Sequence, residues 1–319
     1  MSQYSLGLTG LSFHCDKLQE SRNDSGYFKS RDSPFTISPS QAQFDSAVIT
    51  MLTLQRMLRI EARHLEYQVS ALRIIRPEDR IALHQVAGST SVISSDKYDR
   101  KLNHTIGLGS FKQPTIDDLQ AIEALYKDLG LKPQFDVSLP DNEGTINLLL
   151  ECGYVQTGGI DTFVYNLKDS VVMNSRSFNI DRTTDVALFI NASVAGFATG
   201  GRSLDLLNLL SQMVSMRENT YLYEARDAGG VLGTAVLSIV ESEGDKIGYL
   251  YHDSTLPKAR GHGVHQALIG HRLQVSRDEG CTFAIALARA SSGSARNLEK
   301  LGFVKVFGSH VFEPKLGII

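Results

Sequence analysis

The feature that most limits how this chain can fold is that its two halves repeat one another. In the first, a helix ends at Leu129-Gly130, a strand runs through Phe135-Asp136-Val137, a second helix ends at Cys152-Gly153-Tyr154 and a strand ends at Phe163-Val164. In the second, a helix ends at Glu279-Gly280, a strand holds Phe283-Ala284-Ile285, the next helix ends at Leu301-Gly302-Phe303 and the last strand holds Val311-Phe312. Glycine closes a helix because it takes the left-handed conformation without a Cβ penalty. The glycine-to-glycine intervals are 23 residues (130 to 153) and 22 residues (280 to 302). A repeat of this kind sets the architecture before any local reading does. It predicts a tandem of one α+β unit, which suits a chain of 319 residues, about twice the length of an ordinary domain.

Gln19 to Pro39 is dominated by Ser, Asp, Arg, Asn and Pro, too polar to offset the entropy of ordering, and residues 1–40 read as a mobile lead-in. From Phe44, the apolar residues Val48, Ile49, Leu52, Leu54, Met57, Leu58 and Ile60 predict a helix to about Tyr67. Strand-like pieces follow at 81–87, 91–95 and 104–109. A polar stretch from Lys168 to Ser177 separates a first unit, 41–170, from a second, 177–319. In the second, helices are expected at Thr184–Gly196, Leu204–Met213, Val264–Asp278 and Ser294–Leu301. Strands are expected at Tyr221–Ala225, Val231–Val240, Ile247–His252, Phe283–Leu287 and Val304–Phe312.

Composition removes several function classes. Thirty-two Lys and Arg stand against 35 Asp and Glu, with no basic run interleaved with aromatics, so no nucleic-acid partner is expected. Cys15, Cys152 and Cys281 are too few and too scattered for a disulfide framework or a zinc site. No secretory signal opens the sequence, and no apolar run approaches the roughly 20 residues that span a bilayer. The expectation is a cytoplasmic protein with no membrane partner, self-association being left open.

Chemistry concentrates in Pro257-Lys258-Ala259-Arg260-Gly261-His262-Gly263-Val264, between a strand ending at Leu256 and a helix opening at Val264. A helix start carries N–H groups without intrahelical partners and the positive end of the dipole, so a phosphate or pyrophosphate docks there. Gly261 and Gly263 keep the backbone bare for close approach, and Arg260 adds a charged donor. Around the loop stand a hairpin of two long strands, an amphipathic helix, a strand and a short helix ending Leu-Gly-Phe. In that order the stretch resembles the GNAT superfamily of acyl-CoA N-acyltransferases. The family signature of Arg or Gln, two residues, Gly, one residue, Gly or Ala falls on Arg260, Gly263 and His265, with His265 departing from it. The resemblance covers 178–313, and the repeat extends it to 42–168.

The resemblance implies two tandem GNAT-like domains, each a mixed, mostly antiparallel central sheet flanked by helices. It implies acetyl-CoA, or another acyl-CoA, as co-substrate, a small-molecule amine as acceptor, direct transfer and no metal. The backbone of Ser254, Thr255 and Leu256 is expected to pair with the pantetheine arm. Arg260, Gly261, His262, Gly263, Val264 and His265 would hold the pyrophosphate, and Ser294 and Asn297 would aim polar groups at the cofactor. The thioester would sit in a gap against Phe283 to Leu287. The first half has Gly107-Leu108-Gly109-Ser110-Phe111-Lys112-Gln113-Pro114 where the loop would be. One cofactor site is therefore expected, with the amino-terminal unit a degenerate partner that shapes the acceptor pocket.

Acyl transfer to an amine needs a base or a water chain to take a proton, and an acid for the leaving thiolate. The tyrosine that many relatives use as acid is replaced by Leu298, and a position where relatives often place a Glu base is Tyr251. Strand alternation puts Tyr249, Tyr251 and Asp253 on one face and Leu250, His252 and Ser254 on the other. Tyr251 and His252 are the catalytic candidates, each with a packing role as the rival reading. His262 and His265 are three apart but lack a third metal ligand. Glu224 and Asp227 read as surface acids. The alternatives are a CoA-binding sensor without turnover, and an enzyme using a longer acyl chain.

Overall fold

The computed structural model describes residues 54–98, 100–139, 142–168 and 178–315, so the expected lead-in and the stretch 169–177 lie outside them. The chain order is α1 (Leu54–Ile75), β1 (Ala82–Val86), β2 (Ser89–Ile93), β3 (His104–Ile106), α2 (Ile116–Lys127), β4 (Phe135–Leu139), α3 (Glu143–Glu151) and β5 (Tyr154–Asn166). Then come β6 (Asn179–Arg182), α4 (Val186–Phe197), α5 (Leu204–Ser215), β7 (Thr220–Asp227), β8 (Gly230–Ser242), β9 (Asp245–Thr255), α6 (Val264–Asp278), β10 (Phe283–Arg289), α7 (Gly293–Lys300) and β11 (Val304–Pro314). Helix α1 runs past the expected end at Tyr67 because Gln68, Val69 and Leu72 continue its buried stripe. Strand β6, polar and four residues long, has no apolar pattern to announce it and blunts the sheet edge.

Among the described residues, eleven strands form one mixed, mostly antiparallel sheet in the order β1-β2-β3-β4-β11-β5-β10-β9-β8-β7-β6. Its middle is a two-fold repeat. Parallel pair β3/β4 and parallel pair β9/β10 flank the centre, and between them lie β11 and β5, antiparallel to each other. The last strand of each half thus crosses into the other: β11 pairs with β4, and β5 pairs with β10 along Phe283–Arg289. The expected tandem is present, but its two sheets are one and the final strands are exchanged.

The sequence of β5 explains its central place. Phe163 and Tyr165 join the cluster under α6, while Val164 joins the cluster under α1. A strand apolar on both faces needs cover on both. Helices α1, α4 and α5 share one apolar cluster with Val92 and Val236. Helices α6 and α7 cover the other face through Leu268, Leu273 and Leu298. Helices α2 and α3 pack over Phe135, Val137 and Phe312, so a β11 residue completes the core of the first half.

Candidate functional site

A groove of about 690 Å³ opens where β9 runs into α6 and α7. One wall is the loop before α6. Gly263 is the residue before the helix, with φ of 89°, and Gly261 has φ of 76°, a region that L side chains enter at a cost of about 1–2 kcal/mol. The first turn of α6 contains no acidic residue and no side chain caps it, and the main-chain bond from Ala267 to Gly263 starts its ladder. The equivalent start in the first half is built the opposite way. Thr115 and Asp118 close a capping box at α2, and Asp117 and Asp118 place carboxylates in its first turn. An anion is favoured at the first helix start and repelled at the second.

Arg260 does not point freely into the groove. Its Nη2 donates to Gly196 O and Thr199 Oγ1, both at 2.8 Å, and its Nε donates to Thr255 O at 3.3 Å. The guanidinium therefore clamps the loop to the carbonyl end of α4, where a cation is favoured, and keeps Nη1 for an anion. Gly196 lies so close to β9 that a Cβ there would collide with the Ser254 hydroxyl. Ser254 is buried and donates to Ser193 O at 2.9 Å.

Strand β9 departs from simple alternation. Its register with β8 shifts between Tyr251 and Ser254, and His252 has φ of 54°. This is a β-bulge, with His252 and Asp253 opposite the single residue Ala235. The expected sharing of faces is corrected accordingly. His252 lies with Tyr251 on the side of α4 and α5, against Phe189, Phe197 and Ser211, while Asp253 lies on the side of α6.

Next to the bulge the sheet splays. Strands β9 and β10 pair only through Leu250 and Ala286, whereas β9 stays paired to β8 as far as Thr255, and Leu256 N donates to Leu232 O at 2.9 Å. Residues 251–255 thus have one unpaired strand edge. The gap opens beside Leu287–Arg289, beyond most of the expected Phe283–Leu287, because Phe283 to Ala286 are spent on pairing.

Polar groups cross the groove floor in one connected chain. Gln266 Nε2 donates to Asn297 Oδ1 at 3.1 Å, and Asn297 Nδ2 donates to His265 Nδ1 at 2.9 Å. The second His265 nitrogen, Nε2, therefore carries the proton and donates to Asp253 Oδ2 at 3.1 Å. Arg272, fully buried, lies with Nη2 2.6 Å from Asp253 Oδ1, off the line of a hydrogen bond, and bonds Val236 O and Leu268 O at 2.8 and 3.0 Å. Burial alone would raise the Asp253 carboxyl, but the Arg272 charge and the His265 bond outweigh it and hold it below the usual range. Asp253 carried no signal of its own in the sequence.

Of the residues expected at the site, Thr255, Arg260, Gly261, His262, Gly263, Val264, His265, Ser294 and Asn297 line the groove, together with Phe197, Gln266 and Lys300. Ser254 and Leu256 meet it through β9 backbone, the Ser254 side chain being turned into α4. Tyr251 and His252 do not line it. Tyr251 OH lies 3.4 Å from Ser238 Oγ, with His64 against its ring and Arg217 over it. His252 Nε2 lies 3.1 Å from Ser211 Oγ, and burial lowers its ring to about 4. Glu224 is not a surface acid: it is 1% exposed and paired with Arg226. Leu298, where the resemblance would expect a tyrosine, is buried in the core. Among the described residues no group of three or more potential ligands could hold a metal, and no helix is long and apolar enough to cross a membrane.

Buried histidines make stability pH-dependent. Burial pushes His104 and His252 down to about 4 and His64 well below its ordinary value. Depressed imidazoles contribute stability above the unfolded value near 6.5, and lose it as pH falls toward 4. Glu61 works the other way: burial, then Asp136, push it up to about 7, so its contribution is fullest below 4.5 and is lost as pH rises through 7. At about 1.4 kcal/mol per group per pH unit, denaturant unfolding is expected to show a net loss of about 2 kcal/mol between pH 7 and 5.5. Equal stability at both values would contradict these buried states.

Residues 191–303 match the family model described as Acetyltransferase (GNAT) family. The fold is similar to a GCN5-related N-acetyltransferase from Kribbella flavida, with TM-score 0.58 and 14% identity over 80% of this chain and 96% of that one. A GCN5-related N-acetyltransferase from Sphaerobacter thermophilus gives TM-score 0.53 and 16% identity, covering 81% and 90%. At such identities the likeness concerns fold. No curated protein matches the sequence.

Proposed function

Since residues 191–303 form a domain of the GNAT acetyltransferase family, we propose that this protein moves an acetyl group from acetyl-CoA directly to a small amine. The observation that carries the reading is the junction of the β9/β10 splay with the glycine loop. An anion seated on the start of α6 is one strand-end away from an unpaired backbone edge. The pyrophosphate would rest on Gly261 to His265, and pantetheine amides would pair with Thr255 and its neighbours. Ser294, Asn297 and Lys300 would face the same ligand across the groove. The bulge lies beside the gap, where a main-chain amide would be needed to meet an oxyanion. Tyr251 and His252 then act chiefly by shaping and holding that bulge.

The test is calorimetric titration with acetyl-CoA and with CoA, followed by thiol release with a panel of amines. One site per chain is expected, and no binding to either would defeat the reading. Gly263→Asp should weaken binding at least tenfold by setting a carboxylate against the pyrophosphate. Gly263→Ala, which carries similar backbone strain without the charge, should lose far less; equal losses would remove the anion from the argument. A second reading, a CoA-binding sensor, is favoured by Leu298, which puts no hydroxyl at the acid position. Binding without thiol release for any amine would select it.

A further inference from the structure

On the α1 face, beneath the splay, two adjoining small cavities of about 10 Å³ each share Glu61, Ser138, Thr162, Leu287 and Ser309 in their walls. Each has room for about one water. Tyr249 lines the first and Asp136 the second. Tyr249 is 4% exposed and its ring is stacked on His64 at 3.9 Å. Polar groups of Glu61, Ser138, Thr162 and Ser309 around cavities of water size point to water held there. Leu287 is the first β10 residue past the last β9 pairing, so these cavities adjoin the gap.

We propose that Glu61, supplied by the half that lacks the glycine loop, is the proton acceptor of the transfer, reached from the acceptor amine through water in these cavities. The inference rests on the acetyltransferase reading. Glu61 is half-buried and lies between Met57 and His64 at the edge of the buried stripe of α1. The groups that face it are Asp136 from β4, Tyr249 from β9, and Arg100 and Lys101 from the β2–β3 connection. Asp136 is itself paired with Arg100, so Glu61 is the carboxylate left to accept a proton. Burial and Asp136 put its titration at about 7, where a base works without being permanently charged or permanently protonated.

The step balances without another reagent. An ammonium gives one proton through water to Glu61 and becomes an amine. Its nitrogen bonds the thioester carbon, the carbon–sulfur bond breaks, and the second nitrogen proton neutralises the leaving thiolate. Glu61 then returns its proton to solvent. The place of the missing tyrosine at Leu298 needs no substitute in this scheme.

The experiment is a pH–rate profile of thiol release from acetyl-CoA with a panel of alkyl and aryl primary amines, run on the full chain and on Glu61→Gln and Glu61→Asp, with acetyl-CoA affinity measured by calorimetry on each. Wild type is expected to rise to a plateau above about pH 7. Glu61→Gln should lose about 100- to 10,000-fold in rate, keep its acetyl-CoA affinity, and climb with pH without a break near 7. Glu61→Asp should retain the break and part of the rate. A Glu61→Gln protein with wild-type rate and profile overturns the proposal and leaves the acetyltransferase standing. Wild type that binds no acetyl-CoA, or releases no thiol, brings down the reading on which it rests and the proposal with it.

Discussion

Expressed without the rest of the chain, residues 177–319 should form inclusion bodies or soluble aggregates with no cooperative unfolding transition. Strand β5 lies between β10 and β11, pairing Phe283–Arg289 on one side and Val304–Pro314 on the other. Removing it leaves an apolar strand, Phe-Ala-Ile-Ala-Leu-Ala-Arg, as an open edge, a template for intermolecular pairing. It also strips α1 from Val240, Ile247, Tyr249 and Ile285. At roughly 1.5–3 kcal/mol per large side chain exposed, the loss is comparable to the whole stability of an ordinary domain. Supplying residues 54–168 in trans should rescue solubility if the exchange is what holds the fragment. A soluble, monodisperse 177–319 that binds acetyl-CoA would show instead that β11 can fold back beside β10 unaided.

Arg272→Met should cost about 2–3 kcal/mol in equilibrium unfolding, below the range of about 3–5 kcal/mol for a fully buried ion pair, because the Asp253 side chain is 18% exposed. Methionine can fill the path of the arginine stem, so the loss is chiefly electrostatic. Asp253, its side chain 18% exposed on the groove wall, would keep His265 as its side-chain partner among the described residues, and its carboxyl would rise once the Arg272 charge no longer opposes burial. Val236 O and Leu268 O would lose their side-chain donors as well. The double variant with Asp253→Leu should recover much of the stability, since neither charge is then stranded. A single-variant loss under about 1 kcal/mol would show that solvent reaches Asp253. Acetyl-CoA affinity should fall with it, because Asp253 orients His265 in the groove wall.

Local patterns were legible in the sequence, and long-range ones were not. Helix α6 was readable to its end residues, since the glycines before it and the apolar positions 264, 267, 268 and 275 are all local signals. The repeat was readable for the same reason. The exchange of β5 and β11 was hidden because strands that pair across more than 100 residues leave no mark on each other's pattern. The bulge was hidden because Tyr-Leu-Tyr-His-Asp-Ser holds no glycine where the backbone turns left-handed, at His252. Arg272 was a missed clue. It follows Leu268 by four residues on the buried stripe of α6, and a charge on such a stripe demands a buried partner, which is Asp253. Glu61 offered no such clue, as a glutamate near the edge of an amphipathic stripe reads as solvated until another element covers it.

The crossed strands also set a timetable for biosynthesis. Strand β4 ends at Leu139 and its outer partner β11 begins at Val304, a separation of 165 residues. At roughly 5–20 residues per second, ribosomes need roughly 10–30 s to cover that distance. Through that interval the nascent first half carries an open flank and lacks Phe312 from its core. Its sheet closes only once β11 has left the exit tunnel, and until then the emerging chain is a natural client for chaperones that shield strand edges.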